Sequence, residues 1–272
     1  TTMSKTLYLE CYSGISGDMT VAALLDLGAD REVLKESLKS LPVGGFRTEI
    51  TRVKKSGLDA CDFSVILEQD NHDHDMEYLH GSEKSYTGHY EHSHEVNHEH
   101  HHGHTHSHEH PYEHRGMKEI TEIIQKSEMT VRAKKMAMRV FDILAQAESK
   151  AHGVPVEEVH FHEVGAVDSI VDIAAIAICM DNLDISNVIV PVLYEGTGFI
   201  RCQHGQIPVP VPAVTHIAET HKLKLKITDI QGELVTPTGA AVVAAFRTSD
   251  RLPEDFTMLK LSLIHISEPT RP

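Results

Sequence analysis

The sequence predicts an α/β fold: a sheet with flanking helices, interrupted by a disordered histidine-rich insert, with a mixed α+β arrangement as the alternative. Three observations predict it. Leu7, Leu9 and Cys11 alternate with Thr6, Tyr8 and Glu10, as on a half-buried strand, and lead through a Gly/Ser turn into an apolar helix. Strand-like and helix-like segments alternate again in the second half of the chain. Between the halves, 15 of the 22 histidines fall in the stretch from His72 to His114.

The elements follow in order. Met19 to Leu27 is an apolar helix, and Asp30 is placed to cap a second one running to Leu41. Phe46–Val53 and Asp62–Glu68 read as paired strands, with Phe63, Val65 and Leu67 on one face. Residues 70–115 carry ten acidic side chains against Lys84 and Arg115, a net charge of −8. That stretch has few apolar residues and no period, so it buries too little surface to offset its ordering entropy. Met117, Ile120, Ile123 and Ile124 then mark an amphipathic helix. Met136, Ala137, Val140, Phe141 and Leu144 mark a longer one. Val167–Met180 is apolar almost all round and reads as a buried helix. Asn187–Leu193 and Thr197–Cys202 read as strands. Pro208, Pro210 and Pro212 exclude a central strand there, because proline lacks the ladder donor. Helices at Ala213–Thr220 and Gly239–Phe246 complete the pattern, and 261–272 carries no element. The organisation is therefore an α/β segment over 1–69, the insert over 70–115, a helical and α/β segment over 116–260 that completes the core, and an irregular tail.

Composition narrows the function classes. The chain has 272 residues, 40% of them hydrophobic, and a formal charge of −15 with histidine neutral. That is enough apolar material for a core and excludes disorder throughout. No run approaches the 18 apolar residues of a membrane-spanning helix. The acidity argues against a nucleic-acid surface, which needs clustered Lys and Arg. Four scattered cysteines without a Cys-x-x-Cys, and no secretory signal, point to a reducing cytoplasm.

The segment His160-Phe161-His162-Glu163-Val164-Gly165-Ala166-Val167-Asp168-Ser169-Ile170-Val171-Asp172 is the strongest chemical signal. In extended backbone His160 and His162 point to one face, so one ion takes both imidazoles, or one imidazole and Glu163. Asp168 and Asp172 are four residues apart and share one side of an otherwise apolar helix. A buried carboxylate costs several kcal/mol, on the order of 3–5, unless it is paired, hydrogen-bonded or metal-bound. A divalent ion such as nickel or zinc is one partner that suits Asp and His together. The bland alternative has Asp168 capping the helix, Asp172 taking an Arg or Lys, and the histidines hydrogen-bonded in the core.

Three further segments are weaker. Ser13-Gly14-Ile15-Ser16-Gly17-Asp18 lies between strand and helix, where backbone amides hold phosphate or Asp18 ligates a metal; a plain tight turn fits as well. Thr236-Pro237-Thr238-Gly239 opens a helix, with Thr238 as the expected N-cap, and offers a phosphate site or an ordinary cap. His204 is a ligand or simply a hydrogen-bonding loop residue. The histidine-rich insert is expected to collect nickel, zinc or copper with modest affinity. It is not expected to hold the catalytic site, which needs fixed geometry.

Four blocks in order resemble the nickel insertion proteins of nickel-pincer cofactor synthesis: Thr6–Met19, His160–Asp172, His204–Pro210 and Glu233–Ala241. A histidine-rich insert before the middle block also fits. The resemblance runs from about Lys5 to about Pro253. It implies an enzyme that inserts Ni(II) into a pyridinium mononucleotide bearing two thiocarboxylate groups. The family consumes CTP with Mg(II) or Mn(II), and the product serves lactate racemase. Read together with the residues' own chemistry, the resemblance leads to an expected metal site of His160, His162, Asp168, Asp172 and His204, and to expected catalytic roles for Asp18, Glu163 and Asp168. Gly14, Ser16, Gly17, Thr236, Thr238 and Gly239 are where the mononucleotide would bind. Family members continue into a C-terminal domain that this chain lacks, so a separate domain or a second copy is an expected partner. Two rival readings stand beside it: a nickel or zinc store without catalysis, and a metal-dependent phosphohydrolase.

Overall fold

The computed structural model describes residues 5–55, 57–68, 115–161, 165–202 and 205–263. Of the expected disordered insert, 70–114 lies outside the described residues, as does all of the tail beyond 263. So do His162, Glu163 and His204. Arg115, placed in the insert by the sequence, belongs instead to a short strand, Arg115–Gly116.

The fold is mixed α/β. Strand β1 (Lys5–Tyr8) runs parallel to β6 (Ile185–Ile189), and β7 (Leu193–Thr197) runs parallel to β10 (Leu225–Gln231). A parallel bridge between Cys11 and Leu193 stitches the two ladders side by side, and another joins Ile189 to Ser249. Helix α1 (Gly17–Asp26) lies against α5 (Val167–Asn182) and against the antiparallel hairpin of β2 (Phe46–Lys55) and β3 (Leu58–Leu67). Helix α4 (Val131–His152) touches α5, α6 (Pro212–His221) and α7 (Pro237–Phe246). One apolar cluster runs through all of these, from Leu7 through Leu24, Phe141 and Ile176 to Val243.

Local chemistry explains most boundaries. Asp30 caps α2 (Arg31–Lys39), its Oδ1 accepting from the amides of Glu32 and Val33. Helix α3 (Met117–Lys126) buries Ile120, Ile123 and Ile124, as its period requires. Thr130 caps α4 through the Ala133 amide, and its hydroxyl donates to Asp181 at the end of α5. Gly153, left-handed, closes α4.

The structure corrects two further expectations and adds strands that the sequence reading did not foresee, β4 (Arg115–Gly116), β9 (Gly205–Pro208) and β10 among them. The run Asn187–Leu193 is not one strand. Pro191 has no amide to give a ladder, so the chain leaves β6 after Ile189 and re-enters as β7 at Leu193. Thr197 accordingly ends β7, and β8 is Phe199–Cys202, paired only with β9 (Gly205–Pro208). The N-cap of α7 is Thr236 rather than Thr238: Thr236 Oγ1 accepts from the Gly239 amide, and Pro237 takes the first helical position, where its missing N–H costs nothing. Strand β10 was not foreseen; its Lys, Thr, Asp and Gln hide it.

Two distant segments cross at Ile15. The Ile15 amide donates to Leu234 O at 2.9 Å, and the Thr236 amide donates to Ile15 O at 3.1 Å. Gly14 sits at φ +79°, and a Cβ there would stand 1.9 Å from Leu234 O. Gly45 has a similar φ of +77° but faces open space. Gly14→Ala is therefore expected to cost about 3 kcal/mol, strain plus overpacking, while Gly45→Ala costs about 1 kcal/mol of strain alone. Denaturant melts of the two variants measure the difference. Equal losses would mean that the Leu234 segment moves aside at no cost.

Candidate functional site

The crossing at Ile15 delivers α1 onto α5. Ser16 is the N-cap of α1, and its hydroxyl donates to Asp18 Oδ1. At Gly17 the two helices are in contact: a Cβ would lie 2.7 Å from Asp172 Oδ2. Asp18 is exposed on the first turn of α1. Asp168 sits on the first turn of α5, and Asp172 one turn later. Between Val167 and Met180 the only other polar side chain is Ser169.

The bland reading of these aspartates meets two obstacles. The N-cap of α5 is Ala166, with no side-chain cap bond, so Asp168 does not cap the helix. Asp172 Oδ1 is shut off from water and accepts no hydrogen bond among the described residues. Burial pushes the Asp172 carboxyl well above the usual carboxylate range, and the negative charges of Asp18 and Asp168 push it further. Asp18 and Asp168 thus lie near enough to Asp172 for their charges to act on it, where the first and middle motifs meet.

Beside them, the small-residue turn and the α7 start lie together. Ile15 and Val235 form a parallel bridge, and a Cβ on Gly239 would stand 2.2 Å from Ile15 O. Gly14, Ser16 and Gly17 are therefore brought to Thr236, Thr238 and Gly239. What holds Leu234 and Val235 in place is Glu195, a residue that the sequence reading missed. Its side chain is 0% exposed. Oε1 accepts from the amides of Gly196 at 2.7 Å, Leu234 at 2.8 Å and Val235 at 3.1 Å. Burial raises the Glu195 carboxyl, although those three amides pull the other way. The available signal was a lone carboxylate in the middle of a strand, just before glycine.

The histidine side is seen in part. Strand β5 (His160–Phe161) pairs antiparallel with β4 (Arg115–Gly116), so that Arg115 faces Phe161 and Gly116 faces His160. The Arg115 guanidinium donates to Gly165 O at 2.9 Å. His160 is exposed there. Among the described residues, no three His, Cys, Asp or Glu side chains converge closely enough to hold an ion. Burial pushes the Cys11 and Cys179 thiols up to about 12, so neither offers a thiolate at neutral pH.

A family model described as nickel insertion protein matches residues 7–263. The chain belongs to the nickel insertion protein family. It is 52% identical over 262 residues to the pyridinium-3,5-bisthiocarboxylic acid mononucleotide nickel insertion protein of Alkaliphilus metalliredigens (strain QYMF), covering 96% of this chain and 56% of that protein. Identity is 45% over 244 residues to the protein of the same name from Clostridium acetobutylicum, with 89% of this chain and 55% of that one covered. The protein of that name from Acetivibrio thermocellus is 36% identical over 239 residues, 88% of this chain and 51% of its own length. The chain thus spans about half the length of these relatives. No solved structure matches it. Among the described residues, no helix is long and apolar enough to cross a membrane.

Asp172 sets a pH-dependent prediction. Its folded-state carboxyl holds its proton more tightly than the unfolded one. Its contribution to stability is therefore fully present below the unfolded value of about 3.9 and is lost as pH rises toward the folded one. Asp172→Asn, which carries no charge, should raise the melting temperature at pH 7 by about 2–4 °C for each kcal/mol of relief. The gain should vanish below about pH 4. Melts at pH 7 and pH 3.5 test it; equal melting temperatures at pH 7 would show that the buried charge costs nothing.

Proposed function

We propose that this chain provides the metal-handling half of an enzyme that inserts nickel into pyridinium-3,5-bisthiocarboxylic acid mononucleotide. The observation that carries the reading is Asp172: a carboxylate on an apolar helix against the start of α1, its Oδ1 without a hydrogen-bond partner among the described residues, and acted on by the charges of Asp18 and Asp168. A folded protein tolerates such an arrangement poorly unless a cation relieves it in use.

Asp168 and Asp172, with His160, His162 and His204, take the incoming Ni(II). Oxygen and imidazole donors together suit a borderline divalent ion. The mononucleotide phosphate lies at the paired segments Gly14, Ser16 and Gly17, and Thr236, Thr238 and Gly239. Their support is that the start of α1 and the start of α7, from the two halves of the chain, meet at the Ile15–Val235 bridge. Two nickel–sulfur bonds form to the thiocarboxylates. As the nickel–carbon bond forms, the ring C–H breaks, and its proton passes to one of the carboxylates Asp18, Glu163 or Asp168. Support for Asp18 is its exposure and its hydrogen bond from Ser16.

CTP with Mg(II) or Mn(II) completes the reading, as the family resemblance implies. The aspartate oxygens fit such hard ions in kind. What the nucleotide supplies is the free energy of its hydrolysis, and the remainder of the longer protein is the expected partner in its use. The finished cofactor serves lactate racemase.

The histidine-rich stretch feeds this site. It rejoins the described chain at Arg115, whose strand is paired with His160–Phe161. A tethered chain of imidazoles raises the local nickel concentration there without any further contact.

The deciding experiment incubates the full-length protein with nickel, CTP and the thiocarboxylate nucleotide, and follows a new absorbance and the mass of the nickel adduct. His162→Ala combined with Asp168→Ala should abolish the product while the melting temperature stays within a few degrees. Unchanged turnover would remove those residues from the mechanism. Deleting residues 72–114 separates insertion from storage. The shortened protein should keep its full rate at saturating nickel and lose it at limiting nickel. No product at any nickel concentration would make the histidine stretch, and not the folded site, the working part.

A further inference from the structure

Tyr12 lies between the β1 extension and the Ser13–Asp18 turn, and 55% of it faces solvent. Nothing in the core needs a large aromatic ring there. The ring is nevertheless held. It meets Tyr194 edge to face, with centroids 5.0 Å apart and planes at 67°. The Tyr194 amide donates to Cys11 O at 3.1 Å, locking the two backbones together. Glu195, next along β7, is pinned by its three amides, so Tyr194 is fixed from beneath. Lys226 is the strand partner of Tyr194 on β10. Its Nζ stands 4.8 Å from the Tyr194 ring centre and 3.3 Å from the hydroxyl.

The result is an exposed, braced aromatic surface with one ammonium at its edge, one residue from the turn assigned to the phosphate. Its chemistry is specific. The electron-rich face of a tyrosine attracts a planar cation, and a lysine attracts an anion. The substrate named for the relatives is both: a cationic pyridinium ring bearing anionic thiocarboxylates and a phosphate.

We propose that Tyr12, braced by Tyr194, is the platform on which the pyridinium ring of the mononucleotide stacks, with Lys226 meeting one anionic substituent of that ring. The proposal rests on the reading that this chain takes a pyridinium mononucleotide. Tyr12 and Lys226 then set ring specificity, while the starts of α1 and α7 hold the phosphate, and the aspartates hold the metal.

Calorimetric titration of this chain tests it with three probes. Nicotinic acid mononucleotide carries the cationic ring and a carboxylate. Nicotinamide mononucleotide carries the ring without that carboxylate. Ribose 5-phosphate has neither. Tyr12→Leu should weaken both ring-bearing probes by about 10-fold and leave ribose 5-phosphate unchanged. Tyr12→Phe should keep wild-type affinity, which separates the ring from the hydroxyl. Lys226→Met should weaken nicotinic acid mononucleotide and spare nicotinamide mononucleotide. Nickel affinity and melting temperature should not move in any of the three variants. Wild-type affinity of Tyr12→Leu for both ring-bearing probes would overturn the platform while leaving the substrate reading intact. If the unaltered chain binds ribose 5-phosphate but gains nothing from a pyridinium ring, the substrate reading fails, and the platform falls with it.

Discussion

The carboxylate of Glu195 joins the two halves of the site. Its Oε1 collects amides from Gly196, beside it, and from Leu234 and Val235, about forty residues on. A fully buried carboxylate is costly, and three backbone donors on one oxygen are what make it tolerable. The geometry that results is directional. With its amide turned to Glu195, Leu234 presents its carbonyl to the amide of Ile15, and Ile15 in turn accepts from Thr236. The turn before α1 and the start of α7 are therefore registered on strand β7 by one acid. Gly14 and Gly239 are the residues that allow the backbones to approach, since a side chain at either would strike a main-chain oxygen.

From that registration the acidic site follows. The turn cannot shift without breaking its bond to Leu234, so α1 begins where Gly17 meets Asp172. Asp18 is thereby carried to the same end of α5 as Asp168 and Asp172, and its charge, with that of Asp168, adds to the cost of burying the Asp172 carboxylate. Ala174, Ile176 and Val171 show what α5 otherwise prefers. Local rules broken on a well-packed helix, with no gain in packing, are the mark of a functional position. Under the proposed function, a divalent ion is the species that relieves this unfavourable charge.

Much of this was legible in the sequence, and the illegible parts share a cause. Asp30 and the Ile120–Ile123–Ile124 stripe announce their helices because caps and periodicity act within a few residues. Asp168 and Asp172 stood out because a carboxylate four residues from another on an apolar helix needs a partner wherever the helix sits. Asn187–Leu193 misled because its apolar run continues through Pro191, and only the missing ladder donor separates β6 from β7. Thr236 and Thr238 both suit a cap; Pro237 decides between them, since it belongs at the first helical position. Glu195 offers one local signal, a lone carboxylate before glycine, but not its role. Its donors come from Leu234 and Val235, and nothing near it in the chain foretells them. Tyr12 and Tyr194 are hidden for the same reason, being 182 residues apart yet in ring contact.

The histidine stretch and the aspartate site embody different physical demands, which argues for keeping them apart in one chain. Capture from dilute solution favours many equivalent imidazoles, because statistical multiplicity raises occupancy without requiring any fixed geometry. Insertion requires the opposite: a small number of donors held to within a fraction of an ångström, and a proton acceptor on the correct side of the ring. One set of residues cannot satisfy both. The pairing of Arg115 with Phe161 and of Gly116 with His160 ties the residues that follow the histidine stretch to the start of the middle motif. Under the proposed function the ion then has only a tether's length to travel. The gradient that moves it runs from shared, neutral imidazoles toward clustered carboxylates whose mutual repulsion falls when the ion arrives.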